Sequence, residues 1–151
     1  MSGLMSNERR TIYLAEPPAY YLARLPVVVD SSMLCAVLFD EPERGDALNR
    51  LAGRHLLAPR LLDHEVVNVA VKKRRQGMPA AVVERALADY VEQDIELLPT
   101  DAAAQYALAQ QYGLSGYDAA YLWLAAELKA PLVTFDRKLA DAATRYFESS
   151  P

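Results

Sequence analysis

The sequence predicts an α/β fold: a small parallel sheet of four or five strands flanked by helices. Three observations carry this. Short aliphatic runs alternate with helical stretches or pairs of them, as strand–helix–strand crossovers do. The first run, Val27-Val28-Val29, is apolar without alternation, the pattern of a strand buried on both faces. The chain has 151 residues, 52% of them hydrophobic, enough for one domain with a sizeable core.

In chain order, residues 1–26 read as a leader outside the main pattern, and 27–148 as the folded domain. Within the leader, Met1 to Arg10 is expected to be mobile, Thr11 to Ala15 suits a short strand and Pro17 to Leu25 a short helix. Strand Val27 to Val29 leads into a helix from Ser32 to Phe39, broken by Asp40-Glu41-Pro42. A second helix, Glu43 to Ala52, stops at Gly53. His55 to Ala58 is a weak strand, and Leu61 to Gln76 a longer helix closed by Gly77. Pro79 opens a helix to Glu92 with Val82, Val83, Ala86, Leu87 and Tyr90 at helical spacing. Ile95 to Leu98 is a strand. Thr100 is the expected cap of a helix from Asp101 to Tyr112, ended by Gly113. Gly116 to Lys129 is helical and apolar on most sides, hence buried. Pro131 to Thr134 gives a strand, Asp136 to Ala143 a final helix, and Arg145 to Glu148 an added edge strand.

Several function classes fall away on composition. No run approaches the roughly 18 consecutive apolar residues of a membrane span. A single Cys35 permits no disulfide framework, which points to a reducing, cytoplasmic setting, and its aliphatic neighbours make it a buried small hydrophobe. Net charge is −4, from 20 acids against 16 Lys and Arg, unlike a sequence-independent nucleic-acid binder. That total leaves room for acids gathered in one cleft and cations elsewhere.

Four acids stand out. Asp30 and Asp136 each end a predicted strand; Asp118 opens a buried helix; Glu65 sits among Val66, Val67 and Val69. Capping alone would account for three of them: Asp30 and Asp136 as N-caps, and Asp118 in a capping box with Ser115. Glu65 has Asn68 and Val69 at i+3 and i+4, so no cation is in helical reach on that side. A carboxylate on such a stretch is costly without a partner. If the two strands are neighbours, Asp30 and Asp136 meet at one rim, and the joint reading gathers all four acids in one cleft there. Like charges there require a cation, and hard oxygen ligands select Mg²⁺ or Mn²⁺. Zinc is disfavoured, because there is one Cys and the spacing of His55 and His64 is not that of ligands. No glycine-rich phosphate loop is present. A phosphatase whose first strand ends in Asp needs a second acid two residues on, where this chain has Ser32.

Four segments together resemble the PIN-domain family, and within it the VapC-type toxins of bacterial toxin–antitoxin pairs. They are Val28-Val29-Asp30-Ser31-Ser32, Pro59 to Asn68 with Glu65, Tyr117-Asp118-Ala119-Ala120-Tyr121-Leu122, and Val133-Thr134-Phe135-Asp136-Arg137-Lys138. The resemblance spans roughly Val27 to Ala143. It implies a three-layer fold and a Mg²⁺- or Mn²⁺-dependent endoribonuclease with Asp30, Glu65, Asp118 and Asp136 as its acidic quartet. Ser32, Thr134 and Asn68 are the implied supporting residues. It also implies a homodimer restrained by a VapB-like antitoxin, docked at the acidic cleft and at an apolar groove by the Glu43–Ala52 and Leu61–Gln76 helices. A family member with a degenerate quartet would bind RNA or protein without turnover; here the quartet is complete. Arg137 and Lys138 are the candidate RNA contacts. Lys72-Lys73-Arg74-Arg75 reads first as cations complementing a helix C-terminus.

Overall fold

The structure is a computed structural model, and it describes residues 24–150. The leader expectations for Met1 to Arg10 and Thr11 to Ala15 lie outside the described residues, as does most of Pro17 to Leu25; Arg24 and Leu25 are in no helix.

Eleven elements follow in order among the described residues. They are β1 (Pro26–Val29), α1 (Ser31–Leu38), α2 (Arg44–Leu51), β2 (His55–Pro59), α3 (Leu62–Arg75), α4 (Ala80–Val91), β3 (Ile95–Leu98), α5 (Ala102–Tyr112), α6 (Gly116–Leu128), β4 (Leu132–Val133) and α7 (Arg137–Ser149). The four strands form one sheet in the order β3-β2-β1-β4, every pair parallel. With helices covering it, this is the expected three-layer α/β arrangement. Pro26 begins β1, one residue before the expected start of that strand.

Burial explains why β1 is central. Val27, Val28 and Val29 are 2%, 0% and 0% exposed, as a strand covered on both faces requires. The apolar helix α6 packs against β1, β2 and β4. It buries Ala119, Ala120, Tyr121, Leu122, Leu124 and Ala125. A smaller cluster joins Cys35 and Phe39 to Ala70, Val83 and Ala86, cementing α1 to α3 and α4. Gly113 ends α5 with φ +64°, a left-handed turn that costs a glycine little.

Three local expectations need correction. The cap of α5 is Asp101, whose side chain accepts the Ala104 N–H at 2.8 Å, while Thr100 donates to Gln105 instead. β4 is two residues rather than four: Pro131 has no N–H to give and Thr134 turns out of the strand. The expected edge strand Arg145 to Glu148 is helix, so the sheet has four strands. No breaker follows Ala143, and Leu139, Ala142, Ala143 and Tyr146 hold the helical period against the core.

Candidate active site

The strand order places a crevice between β1 and β4. The chain leaves β1 and returns on both of its sides, and the carboxyl ends there open a cleft between diverging connections. Asp30 follows β1, and Asp136 follows β4 after a two-residue bend. Each acid also caps the helix after it: Asp30 Oδ1 accepts the Met33 N–H at 3.2 Å, and Asp136 Oδ1 accepts the Leu139 N–H at 3.1 Å. Capping is therefore compatible with a place at the crevice between β1 and β4. α6 delivers Asp118 from its first turn, where Ser115 Oγ accepts the Asp118 N–H at 3.0 Å; only this half of the expected capping box forms. α3 delivers Glu65 from its first turn.

Hydroxyl groups hold these carboxylates. Ser32 Oγ donates to Asp30 Oδ1 at 2.6 Å and accepts the Phe135 N–H at 2.9 Å. Thr134 Oγ1 donates to Asp30 Oδ2 and accepts the Asp136 N–H at 2.9 Å. Two relays thus tie the carboxylate of β1 to the bend that carries Asp136. Tyr121 Oη donates to Glu65 Oε1 at 2.6 Å, and Ser31 Oγ reaches Oε2 at 3.4 Å.

Electrostatics show that the four acids share one field. Burial lifts the Asp30 carboxyl above its ordinary value, opposed by Ser32, Thr134 and the Met33 N–H and reinforced by Asp136. Burial also lifts Glu65, against the Tyr121 hydrogen bond, with Asp30 and Asp118 repelling it. Asp118 is raised by burial and by Asp136, while Lys138 relieves it. The repulsions close a ring: Asp30 with Glu65, Glu65 with Asp118, Asp118 with Asp136, Asp136 with Asp30. None of the four is ion-paired among the described residues.

Carboxylates that repel one another and form no ion pair among the described residues are hard oxygen donors of the kind that suits a divalent cation such as Mg²⁺ or Mn²⁺. Among the described residues, no three His, Cys, Asp or Glu side chains already converge on one point. Asp30 is buried, Glu65 and Asp118 are half-buried and Asp136 is exposed, so the donors descend from solvent into the cleft.

The remaining expected site residues sort by position. Ser32 and Thr134 support Asp30 directly. Asn68 is exposed and lines a groove of about 360 Å³ with Glu65, Ser31, His64 and Tyr117, without a hydrogen bond to any of the four acids. Lys138 acts on Asp118, whereas Arg137 is 94% exposed and lies 4.0 Å from Asp141. The groove beside α3 is mixed rather than apolar: Glu41, Glu43, Lys72 and Lys73 line it with Val69 and Phe135. Sequence reasoning missed Tyr121 and Ser31 as partners of Glu65. The available signal was a tyrosine on an otherwise apolar buried helix, since a buried phenol seeks an acceptor.

Comparison with known proteins bears on the family and the fold. The family model described as "PIN domain" matches residues 27–144. The chain is 31% identical over 116 residues to Ribonuclease VapC9 of Mycobacterium tuberculosis, covering 76% of this chain and 89% of that one. It is 29% identical over 124 residues to Ribonuclease VapC3 of Pyrobaculum aerophilum, covering 78% and 94%. Among solved structures it is similar to PAE2754 from Pyrobaculum aerophilum, with TM-score 0.64, 26% identity and coverage of 78% and 79%. VapC20 of Mycobacterium tuberculosis, described as a Sarcin-Ricin loop cleaving toxin, shares the fold at TM-score 0.57 and 13% identity, over 77% and 94%.

Proposed function

The chain belongs to the PIN-domain family, and from that premise we propose that it is a metal-dependent endoribonuclease, the toxin of a VapBC-type pair. The observation that carries this reading is the meeting of Asp30 and Asp136 at the crevice between β1 and β4, tied through Ser32 and Thr134, with none of Asp30, Glu65, Asp118 and Asp136 ion-paired among the described residues. The relatives named as ribonucleases support the same activity.

Asp30, Asp118 and Asp136 would hold Mg²⁺ or Mn²⁺, and Glu65 would either join them or orient the attacking water. The cation supplies activation of water at neutral pH and compensation of charge on the leaving oxygen. The chain's own residues do the positioning. Ser32 and Thr134 fix both oxygens of Asp30 and hold it against the Asp136 bend. Tyr121 and Ser31 fix Glu65 on the opposite wall. Lys138, beside Asp118, meets the phosphate backbone, with Arg137 further out. No side-chain nucleophile is required, and the buried Cys35 is unsuited to the role.

The partners proposed are RNA, a VapB-like antitoxin reaching the acidic cleft and its flanking grooves, and a second copy of the chain. The proposed setting is the cytoplasm. Among the described residues, no helix is long and apolar enough to cross a membrane.

The test is cleavage of RNA by the purified chain with Mg²⁺ or Mn²⁺, repeated with EDTA and with Asp30→Asn. Asn keeps the helix cap, so the variant retains the wild-type fold by circular dichroism. Its cleavage falls at least about a hundredfold, the scale of losing one preorganised charge at a reacting centre. Full activity in EDTA or in the variant would overturn the reading, and absence of cleavage on every RNA offered would reduce the chain to a binding module.

A further inference from the structure

Two of the four acids follow directly after an aromatic residue: Tyr117 before Asp118, and Phe135 before Asp136. Both rings are uncovered, at 68% and 44% exposure. Their backbones are nevertheless pinned. The Phe135 N–H donates to Ser32 Oγ at 2.9 Å, and Tyr117 lies in the first turn of a helix capped by Ser115. Neither ring pairs with another aromatic among the described residues.

Their surroundings point to an occupant. Tyr117 lines the groove that holds Glu65 and Ser31. Phe135 stands between two clefts. One, of about 820 Å³, is lined by Arg50, Arg54 and Asp46 with Thr134; the other, of about 710 Å³, by Lys72, Lys73, Glu41 and Glu43 with Ser32. Arg50, Arg54 and Lys72 are in no ion pair among the described residues, whereas Lys73 pairs with Glu41. Each ring thus stands next in sequence to an acid, and the clefts that Phe135 lines also carry cations. A phosphodiester strand suits that set of groups: its reacting phosphate at the acids, its bases on the rings, its further phosphates at the cations.

We propose that Tyr117 and Phe135 each stack one base of the RNA strand whose phosphodiester is presented to the acids. The inference rests on the ribonuclease reading and adds to it how the strand is held. Base–aromatic stacking is sequence-tolerant because every base offers a π-face, so the rings set register without dictating sequence. Loss of one platform weakens binding by about tenfold, within the range of alanine substitution at such sites.

The experiment uses the full chain and a short unpaired RNA with a fluorophore and quencher at its ends. Wild type, Tyr117→Ala, Phe135→Ala, Phe135→Leu and Phe135→Trp are compared for kcat and KM with Mn²⁺, and for Kd by anisotropy in EDTA. The alanine variants raise KM and Kd about tenfold with kcat changed little; Trp restores both constants and Leu does not. Wild-type KM and Kd in both alanine variants would overturn the proposal and leave the rings to a protein partner. Leu performing as well as Trp would overturn it too, by reducing the ring to apolar cover. If wild type binds RNA without cleaving it, the ribonuclease reading fails, while Kd still decides the stacking. If wild type neither binds nor cleaves, both fail.

Discussion

Replacing Tyr121 with Phe tests how the site holds a carboxylate that the fold would otherwise disfavour. Tyr121 is 1% exposed, and its hydroxyl makes one recorded hydrogen bond, the 2.6 Å donation to Glu65. Burial and the Glu65 charge push the phenol's own pKa far up, so it remains a donor across the working range. A hydrogen bond to an ionised group contributes about 1.5–3 kcal/mol. Glu65 is only half-buried and water replaces part of the bond, which leaves about 1–2 kcal/mol at neutral pH. For a chain of this size that lowers Tm by roughly 3–6 °C. The pH dependence separates this from simple loss of packing. The Glu65 carboxyl is raised above its ordinary 4.5, so its contribution to stability is complete below that value and is lost as pH rises through the folded-state value. Tyr121→Phe removes a bond that favours the charged form, so the variant loses more on the same rise. Urea unfolding in EDTA at intervals from pH 4 to 8 should show a gap between the proteins that is small at pH 4 and widest near neutrality. A gap constant with pH, or widest in acid, would refute the assignment of Tyr121 as support for an ionised Glu65.

Two further expectations concern the surroundings of the acids. Thr134→Val removes a donor to Asp30 and the acceptor of the Asp136 N–H; the fold persists and cleavage falls by about 10–100-fold, the scale of a misplaced group, measured as kcat at saturating RNA. The Cys35 thiol is pushed up to about 12, first by burial and then by Glu41 and Asp30. Iodoacetamide at pH 8 therefore leaves the folded protein unmodified and labels it in urea. Cys35 contributes stability that is complete below its ordinary 9.0 and lost as pH rises toward 12, so the advantage of wild type over Cys35→Ala in urea unfolding narrows above pH 9.

The parts of this molecule legible in sequence are those where a local rule and the tertiary structure agree. Val27-Val28-Val29 declared a doubly covered strand, and the acids at the ends of β1 and β4 marked the rim that the sheet order then confirmed. Glu65 was conspicuous because a carboxylate among valines is costly wherever it lands. Its partner was not legible. Tyr121 lies 56 residues away on a helix apolar on most sides, and a periodic pattern cannot tell a phenol that fills space from one that donates across the core. The C-terminal misreading has a different origin. Arg145-Tyr146-Phe147 carries strand-favouring aromatics, but Tyr146 packs on the core and edge-on to Tyr112, 6.2 Å away, and this packing overrides propensity. Thr100 and Asp101 are adjacent capping residues, and the stronger capper of the two, Asp101, is the one that accepts the Ala104 N–H.

The brevity of β4 bears on how the molecule opens. Two residues of backbone pairing hold this edge, and beyond them the bend carrying Phe135 and Asp136 is secured to the rest of the domain through the hydroxyls of Ser32 and Thr134. Side-chain tethers of this kind release without disturbing the three-strand remainder of the sheet. The bend therefore forms a low-stability unit of its own, and its amides should exchange with solvent at a lower free energy than those of β1. Disassembly of the acidic ring then precedes unfolding: on warming or in mild denaturant, activity disappears while the hydrophobic core is still intact.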